Sequence, residues 1–130
     1  MDADRLKTVP LFAELSKHER ATVARLADEV DVAKGQHLVE EGRFAHEFFA
    51  ITEGEAEVTH EGRVLNELKP GDFFGEIALV TLGRRTASVV AKTPMKLVVI
   101  FGPNFNSLRF ELPDVKKQID AAIEERCANM

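Results

Sequence analysis

The chain has 130 residues, 45% of them hydrophobic and 30% charged, the balance of one soluble globular domain. Its 22 acidic and 17 basic residues give a net charge of -5, which argues against a basic nucleic-acid face and against a polybasic membrane contact. A single cysteine, Cys127, excludes a disulfide framework and a cysteine-based zinc site. The start, Met1-Asp2-Ala3-Asp4, is acidic and does not read as a signal peptide, and the longest apolar stretch, Leu97 to Phe101, is far too short to span a bilayer. The expected location is the cytoplasm. Phe occurs nine times while Trp and Tyr are absent, so the aromatic positions read as core filling.

In chain order, Val9-Pro10-Leu11-Phe12 is an apolar, Pro-bent segment expected to pack under the helix that follows. Ser16-Lys17-His18-Glu19 has the capping-box pattern, and Val23, Leu26, Ala27 and Val30 recur at helical spacing. The pattern predicts a helix over about 17–28. From residue 29 short segments rich in Val, Phe, Ile and Thr alternate with Gly-bearing turns at Gly35, Gly42, Gly54, Gly62 and Gly71. That rhythm predicts short antiparallel strands in a sandwich or roll. Ala56 and Val58 on one side of Glu61-Gly62, with Val64, Leu65 and Leu68 on the other, predict a hairpin. Thr86 to Ala91 and Met95 to Phe101 are the last two expected strands. After Gly102-Pro103 the chain turns helical, first over about Asn104 to Arg109 and then over about 113–126. Pro113 suits a first helical position there, and Val115, Ile119, Ala122 and Ile123 share a face.

The unusual stretch runs from Phe73 to Ala91. Gly75-Glu76 opens a small apolar turn, Ile77-Ala78-Leu79; Gly83, Arg84-Arg85 and Thr86-Ala87-Ser88 follow. Small residues let backbone N–H groups approach a ligand, and clustered N–H groups form an anion site. An Arg adds a planar, permanently charged donor fork suited to phosphate. A Glu would repel a lone phosphate, so its presence requires a ligand that also offers hydroxyl donors. The combination points to a sugar phosphate carrying at most one negative charge.

Phe74-Gly75-Glu76-Ile77-Ala78-Leu79, then five residues, then Arg85-Thr86-Ala87-Ser88-Val89, resembles the phosphate-binding cassette of the cyclic nucleotide-binding domain family. Upstream, Leu38-Val39-Glu40-Glu41-Gly42, Ala45, Phe48 to Ile51 and Gly54 are similar to that family's N-terminal signature, with departures at Arg43 and Ala50. The resemblance covers about residues 5–126. It implies a mainly β fold with flanking helices: an antiparallel β-roll (jelly-roll-like, a double-stranded β-helix) with an N-terminal helix, a short cassette helix and C-terminal helices. It divides one domain, 1–130, into an N-terminal helical segment 1–28, a roll 29–101 holding the cassette 74–89, and C-terminal lid helices 102–126. It implies that Glu76 accepts from a ribose 2′-hydroxyl while the Gly75 backbone approaches the sugar. The amides of Ile77, Ala78 and Ala87 would donate to phosphate oxygens, Arg85 would pair with the phosphate charge, and Thr86 would donate to phosphate or base. The implied ligand is cAMP, with Thr86 permitting cGMP without demanding it. A lid residue is implied on the segment from Leu112 to Arg126, with Val115, Ile119 and Ile123 as candidates; by its spacing alone that apolar stripe reads as a packing face, with self-association or partner docking as the alternative.

The expected function is a stand-alone cyclic nucleotide sensor that signals through its C-terminal helix to an unknown protein partner or a missing effector domain. The alternative is a ligand-free docking module of the same fold. An enzyme is not expected, since no Ser/His/Asp arrangement is apparent. A metal is not expected either: His18, His37, His46 and His60 fall in separate segments, without the His-x-His pair of metal-binding rolls. Arg84 reads as a solvated loop residue, and Glu124, Glu125 and Arg126 read as a solvated helix face.

Overall fold

The computed structural model describes residues 1–44, 46–76 and 84–128. It opens with a 3-10 helix, Ala3–Thr8, and a single helical turn α1, Pro10–Ala13, with Pro10 in the first turn, where its missing N–H costs nothing. Helix α2, Lys17–Leu26, begins at the capping box expected from the sequence: the Ser16 side chain accepts from the Glu19 N–H, and the Glu19 carboxylate accepts from the Ser16 N–H. Such a cap contributes about 1 kcal/mol to the helix.

The expected end of this helix is corrected by the structure. The helix stops at Leu26, and Ala27–Val32 form strand β1. Local spacing permits a helix through Val30, but the pairing of Ala27 with Ile100 and of Val30 with Leu97 draws the segment into a sheet. The remaining strands are β2 (His37–Val39), β3 (Glu47–Glu53), β4 (Ala56–His60), β5 (Arg63–Leu68), β6 (Phe73–Phe74), β7 (Ser88–Ala91) and β8 (Met95–Phe101). They form two four-stranded antiparallel sheets, ordered β1-β8-β3-β6 and β2-β7-β4-β5. The expected Glu61-Gly62 hairpin is β4–β5, with both turn residues at positive φ. Gly54 turns β3 into β4 at φ +89°, and a Cβ there would lie 2.4 Å from the Pro94 carbonyl oxygen, so no other residue fits.

Two helices close the chain, α3 (Gly102–Glu111) and α4 (Pro113–Ala128). The core has two parts. Between the sheets lie Phe49, Ile51, Ala56, Leu68, Phe74, Val89 and Leu97. Against the outer face of the first sheet the terminal helices bury Leu6, Phe12, Val23, Phe105, Leu108, Val115 and Ile119 with Phe48 and Ile100. Phe48 stacks on Phe105 at 4.5 Å between ring centroids, tying α3 to β3. The N-terminal segment and α4 thus share one helical layer. Arg109 of α3 and Lys116 of α4 both bind the Asp120 carboxylate, Lys116 at 2.7 Å and the Arg109 Nε at 3.1 Å. Hydrogen bonds from Lys116 and then Arg109 hold that carboxyl below its ordinary range. No helix among the described residues is long and apolar enough to cross a membrane.

Candidate functional site

The site forms where the chain leaves one sheet and enters the other. Strand β6 is pinned to β3 by the pairs Phe49–Phe74 and Ala50–Phe73, and the Phe49 and Phe74 rings stack 4.8 Å apart. This delivers Gly75 and Glu76 at the rim of the first sheet. Arg85, Thr86 and Ala87 lead into β7 of the second sheet. Arg85 is fixed by its backbone: its N–H donates to the Arg43 carbonyl at 2.7 Å, and its carbonyl accepts from the Gly42 N–H at 2.8 Å.

The Arg85 side chain closes the gap between the two arms. Its guanidinium donates to the Gly75 carbonyl at 2.7 Å and to the Glu47 carbonyl at 2.6 Å. Only 8% of Arg85 and none of Glu76 is exposed, and they are the two buried charged residues among those described. Burial pushes the guanidinium below its ordinary pKa, while the nearby Glu47 and Glu76 carboxylates act in the opposite direction. A guanidinium carries five N–H donors, more than these two carbonyls take up, so the fork has capacity for a further acceptor. Gly75 is at φ +93°, and a Cβ there would sit 2.9 Å from Arg85 Nη1 and 3.0 Å from the Glu47 carbonyl oxygen. The glycine therefore lets the two arms meet.

Above this pair is a cleft of about 640 Å³, the size of a small-molecule site. Its apolar wall includes Val39, Val58, Leu68 and Val89; its polar side includes Glu76 and Arg85. A buried carboxylate, a buried guanidinium held in place by two carbonyls and an apolar wall suit a ligand with a single anionic group, hydroxyls and a flat apolar part.

Of the seven site residues expected from the sequence, Gly75, Glu76, Arg85, Thr86 and Ala87 line this one cleft. Ile77 and Ala78 lie outside the described residues. The lid reading of the α4 stripe is corrected, and its reading as a packing face holds. Val115 and Ile119 are buried in the helical layer, and Ile123 packs against it. The residues that α4 gives to the cleft are Ala122 and Glu125. Glu125 was expected on a purely solvated face; it is exposed, yet it also lines the cleft. Leu65 and Asn66 of β5 line it as well, and hairpin patterning carried no sign of this. Arg84 is exposed, lies 4.6 Å over the Phe44 ring and borders the cleft. Among the described residues no three His, Cys, Asp or Glu side chains converge as metal ligands would.

Comparison with known proteins agrees with this geometry. The family model for the cyclic nucleotide-binding domain matches residues 29–111. The chain is 38% identical over 104 residues to a cAMP-dependent protein kinase regulatory subunit of Schizosaccharomyces pombe, a match covering 79% of this chain and 25% of that protein. The chain therefore spans about a quarter of the length of that relative. Among solved structures, the catabolite activator protein of Thermus thermophilus superposes with a TM-score of 0.79 at 27% identity, over 92% of this chain and 59% of that one. The regulatory domain of Toxoplasma gondii PKA, solved with cAMP, has the same fold, with a TM-score of 0.78 at 22% identity over 98% of this chain and 49% of that one. With the cassette, the two-sheet roll and a family match over most of its length, the chain belongs to the cyclic nucleotide-binding domain family.

Proposed function

We propose that the cleft binds cAMP. The observation that carries this reading is the buried Arg85, held by the Gly75 and Glu47 carbonyls beside the fully buried Glu76. In this reading Arg85 pairs with the single phosphate charge, and the amides of Ile77, Ala78 and Ala87 donate to its oxygens. Glu76 accepts from the ribose 2′-hydroxyl, close to the Gly75 backbone. Thr86 donates its hydroxyl to phosphate or base. The apolar wall from Val39 to Val89 seats the rest of the nucleoside. The S. pombe relative, a regulatory subunit of a cAMP-dependent protein kinase, supports this choice of cyclic nucleotide. The same reading makes 74–89 the cassette within a roll that runs from strand β1 to residue 101, flanked by helical segments before Ala27 and after Phe101.

Ligand would be felt by α4, because Ala122 and Glu125 share the cleft with the cassette. A ligand that contacts α4 in one position better than in another shifts the population of that helix. The helical layer, where α4 packs against α1 and α3, would carry the change to a protein partner. The kinase-regulatory relatives support a protein output of this kind.

The test is thermal unfolding with cAMP, cGMP and 5′-AMP. A ligand at 100 times its Kd adds about 2.7 kcal/mol to the folded state, a rise of roughly 8–12 °C for a domain of this size. A rise with cAMP larger than with cGMP, and none with 5′-AMP, supports the reading. A flat response to all three, in protein freed of copurified nucleotide, overturns it.

A further inference from the structure

We propose that His60 is a positioning residue for the cassette: it holds the peptide unit between Thr86 and Ala87 so that the Ala87 N–H is aimed into the cleft. The inference rests on the reading of the cleft given above. His60 ends β4, and its Nδ1 lies 3.0 Å from the Thr86 carbonyl oxygen and 3.0 Å from Glu41 Oε2. A carbonyl oxygen can only accept, so Nδ1 carries the hydrogen and donates to Thr86, with the Glu41 carboxylate close beside it. The surroundings fix the tautomer.

The consequence follows from the peptide bond itself. The chain has no cis peptide among its described residues. In a planar trans unit the carbonyl and the following N–H point in opposite directions. His60 takes hold of the Thr86 carbonyl from outside the cleft, whereas Ala87 lines the cleft. The Ala87 N–H is therefore turned the other way, toward the ligand's anionic group. Regular pairing does not do this job, since the β4–β7 ladder ends at Thr59 with Ser88, one residue short of Ala87. The His60 side chain takes the place of the next rung.

His60 is itself braced. Glu41 Oε1 accepts from the Glu61 N–H at 3.0 Å, and the Glu41 N–H donates to the Ser88 Oγ at 3.0 Å. Glu61 Oε1 lies 3.8 Å from His60 Nε2. The loop at 40–44, the β4–β5 turn and the start of β7 are thereby joined through one imidazole. Its ring is half exposed, so its loss removes a tether without opening the core.

The test pairs His60→Ala with His60→Asn, because an Asn Nδ2–H falls close to where the imidazole Nδ1–H lies. The readouts are the amide chemical shift of Ala87 in ligand-free protein, which responds to a hydrogen bond at the preceding Thr86 carbonyl, cAMP affinity by calorimetry, and the ligand-free Tm. The expected result for His60→Ala is a displaced Ala87 amide signal and about three- to tenfold weaker cAMP binding, the effect of one lost hydrogen bond. Its Tm should stay within about 3 °C of the natural chain, as for other surface changes. His60→Asn should move the signal back and restore affinity. An unmoved Ala87 signal in His60→Ala overturns the proposal, as does a loss of affinity that tracks a fall in Tm and is not restored by Asn. Should the natural chain bind no cyclic nucleotide, the reading of the cleft fails on its own. The Ala87 signal then decides the role of His60: displaced with Ala and moved back with Asn upholds it, unmoved overturns it.

Discussion

Replacing Arg85 by alanine removes a group that has two tasks, and the two are measurable separately. In the free protein the guanidinium donates to the carbonyls of Gly75 and Glu47 while almost wholly buried. Hydrogen bonds from a charged donor contribute about 1.5–3 kcal/mol each, and they do not add fully when they share one side chain. The Gly75 and Glu47 carbonyls also lose their donor at a buried position, which raises the cost. The expected loss of ligand-free stability is about 2–4 kcal/mol, a Tm lowered by roughly 6–16 °C. Arg85→Lys keeps the charge but replaces a planar fork with a point donor, so it should recover only part of that loss. Separately, the affinity for cAMP should fall by about one to two decades in Arg85→Ala. Thermal unfolding without ligand reads the first effect, and calorimetric titration well below the melting temperature reads the second. An alanine variant as stable as the natural chain would refute the bridging role, and one that binds cAMP equally well would refute the phosphate role.

Three further substitutions test other links. Gly75→Ala forces a Cβ into a φ of +93° and against Arg85 and the Glu47 carbonyl; it should cost about 1–3 kcal/mol and weaken cAMP binding, and unchanged melting would show that the arms need not approach so closely. Ile119→Ala should lower the ligand-free Tm through a core cavity costing about 2–4 kcal/mol, whereas a change confined to nucleotide release would return Ile119 to the role of lid. Asp120→Asn should destabilise by roughly 0.5–1 kcal/mol near neutral pH, a modest figure because the carboxylate is partly solvated. The sign follows from its lowered pKa: the stabilisation is full above the ordinary carboxylate range and is lost as pH falls through the depressed value. The difference between the two proteins should thus close in strong acid, and a difference that grows on acidification would contradict a stabilising role for the Asp120 contacts with Lys116 and Arg109.

Local chemistry made the capping box, the β4–β5 hairpin and the cassette legible, because each depends on residues close in sequence. Ser16 and Glu19 are three apart, and Glu61-Gly62 turns a chain whose flanks already alternate. The end of α2 was not legible, since Ala27 becomes a strand residue through Ile100, far along the chain. Nor was the division of successive strands between sheets: β7 and β8 are neighbours in sequence but lie in different layers. The cassette motif named both buried charged residues, but it said nothing of Glu47, whose backbone carbonyl accepts from Arg85 and so leaves no mark in residue type. The face of α4 was read as one stripe. Packing splits it, with Val115 and Ile119 turned to the helical core and Ala122 to the cleft, and a rotation of one residue suffices to exchange those roles.

The central claim is that one cyclic nucleotide sits between the cassette and α4. The most direct measurement is a two-dimensional amide NMR titration with cAMP. The account predicts saturable shifts at Gly75, Glu76, Arg85, Thr86 and Ala87, with a second set at Ala122 and Glu125 on α4. Shifts confined to other surfaces, or none at a large excess of nucleotide, would contradict it.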